Sequence, residues 1–292
     1  MITIRPLTDS FGVEVFGLPL ADVTKDHLFP ELRQLFETHS ALLFRGQDVT
    51  DETHLRLAQL FGPLEDRYPE ERKDPGSYQI PKVSNVREDG STSQELDLKT
   101  LGLKANFLWH ADSTFLPIPA LTNILIGRVV TKTGGATELA STRAGWAAMP
   151  ETLKDKVRGR GVWHRYAHSR AKISPELAAL PIFNKWPDTR WKPVWTNPVT
   201  GEEALYIASH AFRLDGMEEA ESQALIDELV DFCTQPQFVY THQWQEGDVL
   251  IWDQRAVLHR GTPWNYDEPR TLSSICTSAM AADGLESLRM EG

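Results

Sequence analysis

Apolar positions along the chain recur at two periods, helical and alternating. Between Thr24 and Thr38, Leu28, Leu32, Leu35 and Phe36 fall at helical intervals. The run Ala41-Leu42-Leu43-Phe44 that follows is short and continuously apolar, the pattern of a buried strand. Residues 51–61 predict a second helix, with Thr50 as N-cap and Gly62-Pro63 as its stop. Ala144 to Arg158 predicts a third around Met149-Pro150. Glu218 to Phe232 predicts an amphipathic helix with Leu225, Leu229 and Phe232 on one stripe. Strand patterns occupy Met1 to Val15 (one or two strands), Lys82 to Val86, Ala120 to Val130, Ala204 to Ser209, Phe238 to Trp244, Val249 to Trp252 and Ser273 to Thr277. Residues 169–192 read as irregular. Residues 66–105 are charged and broken by Pro, Gly and Ser, and such long segments in compact enzymes are often lids.

Strands with a few helices between them predict a mainly β, α+β fold in one domain spanning residues 1–292. A jelly roll with helices on its outside fits, its ligand-bearing strand ends opening at the mouth and residues 66–105 covering it.

Composition narrows the function. Of 292 residues, 41% are hydrophobic and 24% charged, which describes an ordinary globular protein. The net charge of −11 argues against a nucleic-acid partner, which rewards basic stripes. Cys233 and Cys276 stand too far apart for a zinc module or a disulfide framework. The N-terminus lacks a basic region followed by an apolar run, and no stretch is long enough to span a membrane, so a cytoplasmic protein with no membrane partner is expected.

The chemistry concentrates in Trp109-His110-Ala111-Asp112 and, far downstream, in Trp252-Asp253-Gln254-Arg255-Ala256-Val257-Leu258-His259. Two histidines and one carboxylate are the donor set of a mononuclear non-haem Fe(II) centre with open positions for cosubstrate and dioxygen. Residues two apart share a face on a strand, not on a helix, so His110 and Asp112 can grip one ion from extended chain. The third ligand, His259, must then come from a neighbouring strand. A rival pair, His164 and His168, has the spacing of a helical zinc site, but lacks the intervening glutamate of a metalloprotease and a nearby third ligand.

These motifs resemble those of the taurine dioxygenase/2,4-dichlorophenoxyacetate dioxygenase family of Fe(II)/2-oxoglutarate enzymes. The family pattern W-H-x-D, G-G-x-T, W-D-x-R-x-x-x-H and a following arginine reads here as Trp109 to Asp112, Gly134 to Thr137, Trp252 to His259, and Arg270. Thr137 follows His110 by 27 positions and Arg270 follows His259 by 11, as the family requires. The likeness also takes in Ala41 to Gln47 and Leu60 to Glu65. It implies a double-stranded β-helix fold, iron held by His110, Asp112 and His259, and oxidation driven by dioxygen and 2-oxoglutarate. It further implies that Arg270 and Thr137 bind the distal carboxylate of the cosubstrate, with Trp252 lining its site. A guanidinium suits that task because it stays charged and pairs bidentately.

For substrate, the resemblance implies a small organic acid. Asn106 matches a substrate-contacting asparagine of the taurine enzyme, and His210, in Ile207-Ala208-Ser209-His210-Ala211, matches a histidine of the aryloxyalkanoate cleavers. Family members place a second, substrate-clamping arginine four residues after the cosubstrate arginine. Here that position is Ser274, so Lys104, Arg165, Arg170 and Arg213 become candidates for the clamp. Oxidative cleavage of an aryloxyalkanoate ether leads. Alkyl sulfonate or sulfate cleavage and biosynthetic hydroxylation stand behind it, and a non-catalytic binding module on the same scaffold or a hydrolytic zinc enzyme are the readings from other classes. The family also implies a homo-oligomer.

Overall fold

The computed structural model describes residues 1–67, 78–93 and 97–290. Strands are numbered in chain order. The larger sheet contains β1 (Thr3–Pro6), β2 (Val13–Phe16), β3 (Ala41–Phe44), β4 (Lys82–Ser84), β5 (Ala120–Val129), β13 (Val249–Asp253) and β15 (Thr271–Ser278), in the spatial order β1-β2-β3-β13-β5-β15-β4. All pairs are antiparallel except β2 with β3. A smaller sheet, β12-β6-β14, is built from β6 (Thr137–Ser141), β12 (Val239–His242) and β14 (Val257–Gly261). Two outlying sheets join β7 (Val162–His164), β8 (Thr189–Trp191) and β11 (Ala211–Leu214), and β9 (Val194–Thr196) with β10 (Glu203–Leu205).

Alternation along β13, β5 and β15 sorts the core into two layers. Ile251, Ile124 and Ile275 form one cross-strand row. They share a core with Phe36, Leu57 and Phe61 from the helices Phe29–His39 and Asp51–Phe61, which cover the outside of the larger sheet. The intervening residues Leu250, Leu125 and Trp252 face the other way and pack with Leu139 of β6 and Val257 of β14. Two sheets packed face to face with helices outside form a jelly roll, the fold that the family resemblance implies and that the strand pattern fits. Each fully buried Ile or Leu contributes about 1.5–3 kcal/mol, so the pleat alone strongly fixes strand register.

The second helix begins and ends as expected, with the Thr50 hydroxyl accepting from the Thr53 amide at 3.1 Å. The first starts at Phe29, later than Thr24, because Leu28 adopts a left-handed conformation and Pro30 occupies the first turn. The helix expected over 144–158 is broken at Met149-Pro150 into Thr142–Ala148 and Glu151–Lys154, since a proline ends the run before it. Residues 169–192, expected to be irregular, carry the end of the helix Tyr166–Ala171, the short helix Pro175–Ala178 and strand β8. The strand expected at 204–209 stops at Leu205, and the chain resumes extended pairing at Ala211. Of the segment 66–105, residues 68–77 and 94–96 lie outside the described residues, while Tyr78, Gln79, Pro81, Lys82, Val83 and Leu103 contribute to the wall of a cavity between the sheets. No helix of the described residues is long and apolar enough to cross a membrane.

Candidate active site

A cavity of about 510 Å³ opens between the two sheets. Its floor is the inner face of the larger sheet, where cross-strand pairing sets Trp252, Asn123 and Cys276 in one row, with Leu125 and Ser274 in the next. Thr137 of β6 and His259 and Gly261 of β14 line the opposite side, and Asn106, Phe107 and the stretch Glu65 to Arg67 close it.

His110 and His259 form an isolated antiparallel bridge, exchanging backbone bonds of 3.0 and 2.8 Å. Residues directly opposite in such a pair project to the same face, so the distant histidine is delivered beside the first. The His110 Nδ1 donates to the carbonyl of Leu108 at 2.7 Å, since a carbonyl only accepts, and this leaves the Nε2 lone pair facing Asp112. Asp112 Oδ1 lies 4.0 Å from His110 Nε2, and Asp112 Oδ2 lies 3.6 Å from His259 Nε2. One ligand atom from each residue lies within 4.8 Å of the others, and among the described residues this is the one such cluster. Burial lowers both imidazole pKa values, that of His259 to about 3, so both rings stay neutral. Burial works against the charge on Asp112, but the two histidines once acid protonates them, the Arg67 guanidinium and the Asn123 amide hold its carboxyl below the usual range. Neutral imidazoles and an ionised carboxylate in this arrangement fit a divalent metal with open positions.

Arg270 stands at the other end of the cavity. It is 4% exposed and, among the described residues, meets no carboxylate. Its Nε and Nη2 both donate to the Gly135 carbonyl, at 3.2 and 2.8 Å, and its guanidinium lies 4.8 Å from the Trp264 ring centre. Burial pulls its pKa down to about 10, which still leaves it charged at neutral pH. A buried cation without an acid partner is costly and calls for an anion supplied from outside. The two glycines of the 134–137 motif make its position possible. Both have positive φ, and a Cβ on Gly135 would come within 2.9 Å of Arg270 Nε, while one on Gly134 would come within 2.5 Å of the Pro263 carbonyl.

Of the residues picked out by sequence, His110, Asp112, His259, Asn106, Thr137, Trp252, Arg270 and Ser274 all line this one cavity. His210 does not. It is buried one layer behind, its ring centre 6.4 Å from that of His110 and 5.0 Å from that of Phe115. His164 lies on β7 beside the Thr114 hydroxyl, and His168 lies on a helix against Gln223, so the pair shares no helix face and joins no metal cluster. None of the four expected basic residues lines the cavity. Arg165 pairs with Asp188 at 2.7 Å, Arg213 lies over Trp163, Arg170 donates to Ser169 at 2.8 Å, and Lys104 also stands outside. Among the described residues, the basic side chains that do line it beside Arg270 are Arg67, Lys82 and Arg260. Arg67 donates to Ser113 at 2.7 Å and to Glu65. It sits in an aperiodic stretch after a helix stop, where no spacing distinguishes it. The Asp253 and Arg255 of the downstream motif turn away from the cavity into a buried ion pair completed by Glu37, so they secure the strand and not the chemistry.

The cavity thus combines an iron-type donor set with a buried anion site, the layout of an oxygenase that uses an organic-acid cosubstrate. The family model described as "Taurine catabolism dioxygenase TauD, TfdA family" matches residues 3–276, and the chain belongs to that family. It is an Fe(II)/2-oxoglutarate-dependent dioxygenase. The (S)-phenoxypropionate/alpha-ketoglutarate-dioxygenase of Sphingobium herbicidovorans is 34% identical over 92% of both chains. The alpha-ketoglutarate-dependent 2,4-dichlorophenoxyacetate dioxygenase of Cupriavidus pinatubonensis is 32% identical over 94% of this chain and 97% of its own. The crystal structure of AAD-2 in complex with Mn(II) and N-oxalylglycine superimposes with a TM-score of 0.87 at 31% identity, covering 96% of this chain and 98% of that one.

Proposed function

We propose that this dioxygenase oxidises carboxylic acids of the aryloxyalkanoate type at the carbon bearing the ether oxygen, giving a product that separates into a phenol and an oxo acid. Bound Fe(II), with 2-oxoglutarate and dioxygen, supplies the oxidising equivalent that replaces a substrate C–H by C–OH. His110, Asp112 and His259 hold the metal. Arg270 pairs with the distal carboxylate of 2-oxoglutarate, the Thr137 hydroxyl donates to it, and the Trp252 indole N–H, buried without a partner among the described residues, is a further donor on that wall. Trp252 also packs its ring 4.7 Å from that of His259 and restrains the ligand.

The observation that carries the substrate reading is a second set of cations in the same cavity. Arg67 and Lys82 are not needed by a cosubstrate seated on Arg270, and position 274 holds a serine. The substrate carboxylate is assigned to Arg67, with Lys82 at the rim, and the aromatic body to Val83, Leu103 and Phe107, with Asn106 beside them. Relatives of 32–34% identity named for phenoxypropionate and dichlorophenoxyacetate oxidation support this choice. An alkylsulfatase of Acinetobacter baylyi, 28% identical over 99% of this chain, makes sulfate esters the second class to screen.

The test is substrate-dependent, oxygen-dependent conversion of 2-oxoglutarate to succinate across phenoxyacetates, phenoxypropionates and alkyl sulfates, followed by the same assay on Arg67→Gln. The expected result is phenol release from the phenoxy acids and a KM raised about 10-fold or more for the acid, since a charge-assisted bond contributes about 1.5–3 kcal/mol, with unchanged 2-oxoglutarate dependence. Turnover confined to alkyl sulfates, or an Arg67→Gln enzyme with the wild-type KM, would overturn the assignment.

A further inference from the structure

Position 274 was expected to face substrate, yet its side chain is committed elsewhere. The Ser274 hydroxyl donates to Asn123 Oδ1 at 3.0 Å, and Asn123 Nδ2 donates to Asp112 Oδ2 at 2.9 Å. The same carboxylate oxygen receives Gln254 Nε2 at 2.6 Å and the Cys276 thiol at 3.5 Å. Gln254 Oε1 meanwhile accepts the backbone N–H of Asp112 at 3.0 Å. Among the described residues every donor approaches Oδ2, which leaves Oδ1 as the oxygen without a donor there.

The strand geometry explains the convergence. Asn123 on β5 is the direct cross-strand partner of Cys276 on β15, and Ser274 pairs with Leu125 two residues along, so the three polar side chains share one face beneath Asp112. The amide has one workable orientation. Its oxygen cannot face the carboxylate, acceptor against acceptor, so its NH2 does, and the serine hydroxyl satisfies the oxygen left behind. Asn123 and Ser274 are 5% and 9% exposed, so only a small part of either side chain faces the cavity.

We propose that Ser274 and Asn123 are positioning residues for the metal centre, a hydroxyl–amide relay that fixes the rotation of the Asp112 carboxylate and presents Oδ1 to the ion. The assignment rests on the reading of His110, Asp112 and His259 as the metal ligands. Outer partners of metal ligands change metal affinity by about 10- to 100-fold when removed, and the relay gives this role to the position where relatives would clamp substrate.

The test reads metal affinity and not turnover: Mn(II) is titrated into the purified full-length protein without 2-oxoglutarate, and free Mn(II) is followed by its EPR signal. Wild type is expected to bind one Mn(II) per chain and Asp112→Ala none. Asn123→Leu should bind about 10- to 100-fold more weakly, Ser274→Ala more weakly than wild type but less so, and Ser274→Thr, which keeps the hydroxyl, like wild type. The loss from Ser274→Ala should vanish in the Asn123→Leu background, because the serine acts through the amide. Thermal unfolding of each apoprotein separates loss of the site from loss of the fold. Wild-type binding that both variants retain overturns the relay alone, as does a Ser274→Ala loss that persists undiminished in the double variant. A wild type that binds no better than Asp112→Ala overturns the ligand assignment and the relay with it.

Discussion

Trp244 donates its indole N–H to the hydroxyl oxygen of Thr137 at 3.0 Å. A hydroxyl that already accepts on one side directs its own proton elsewhere, and Thr137, 3% exposed on the cavity wall, has the cavity before it. The tryptophan therefore sets the direction in which Thr137 donates. Trp244→Phe keeps the ring that packs edge-on against His242 but removes the N–H. A net hydrogen-bond contribution of about 0.5–1.5 kcal/mol translates to a 2-oxoglutarate half-saturation roughly 2- to 12-fold higher. Succinate formation against 2-oxoglutarate concentration measures it, and a superimposable curve would remove Trp244 from the cosubstrate site.

Arg270 makes a complementary prediction about stability. Because the guanidinium is buried with no carboxylate partner among the described residues, an anion that binds it should stabilise the fold as well as occupy the site. A ligand at 100 times its Kd adds about 2.7 kcal/mol. With Mn(II) present, saturating 2-oxoglutarate should raise the wild-type Tm by several degrees and leave Arg270→Met nearly unmoved. An equal rise in the variant would mean that the distal carboxylate rests elsewhere.

How much of this was legible beforehand depended on whether the signal was local. Helix and strand patterns around Thr50, Leu42 and Leu229 are carried by neighbouring residues and appear where expected. The metal ligands were legible because His110, Asp112 and His259 keep fixed motif spacings, and the bridge between β14 and the His110 segment then brings them together. Arg67, Asn123 and Trp244 were not, since each reaches the site through tertiary packing alone. Asn123 in particular sits in a strand that reads only as buried, and its polar role appears once Cys276 and Ser274 are paired alongside. His210 is the converse case: a local likeness singled it out, but it stands in the turn before β11, off the cavity wall and packed against Phe115 and Tyr166.

Gly145 marks a tight junction away from the site. It lies in the helix Thr142–Ala148 against Cys233, the last residue of the helix Glu219–Cys233. A Cβ there would come within 2.7 Å of the Cys233 sulfur and 2.9 Å of its Cα. Gly145→Ala should therefore destabilise by about 1–3 kcal/mol despite the better helix propensity of alanine. Adding Cys233→Ala should recover only part, because the backbone contact remains. Urea unfolding of the three variants checks this, and a Gly145→Ala protein more stable than wild type would show that the two helices separate freely.

His54 predicts how stability responds to acid. Its ring is fully buried, with Nε2 donating to the Ile124 carbonyl at 3.0 Å. Burial lowers its pKa from 6.5 to about 4. The unfolded chain therefore takes up a proton between pH 6.5 and 4 that the folded protein refuses, so this residue's contribution is complete above pH 6.5 and is lost as pH falls through that window. At its steepest the loss is about 1.4 kcal/mol per pH unit. His54→Gln retains a side-chain N–H for Ile124 and removes the titrating ring, so it should flatten the fall in stability between pH 6.5 and 5 by close to one proton's worth while leaving the pH 7 to 8 region parallel to wild type. Urea unfolding of the apoprotein across that range gives the two slopes. Parallel curves below pH 6.5 would mean that His54 gains its proton without unfolding, through an opening of the helix Asp51–Phe61 that the packed structure does not contain.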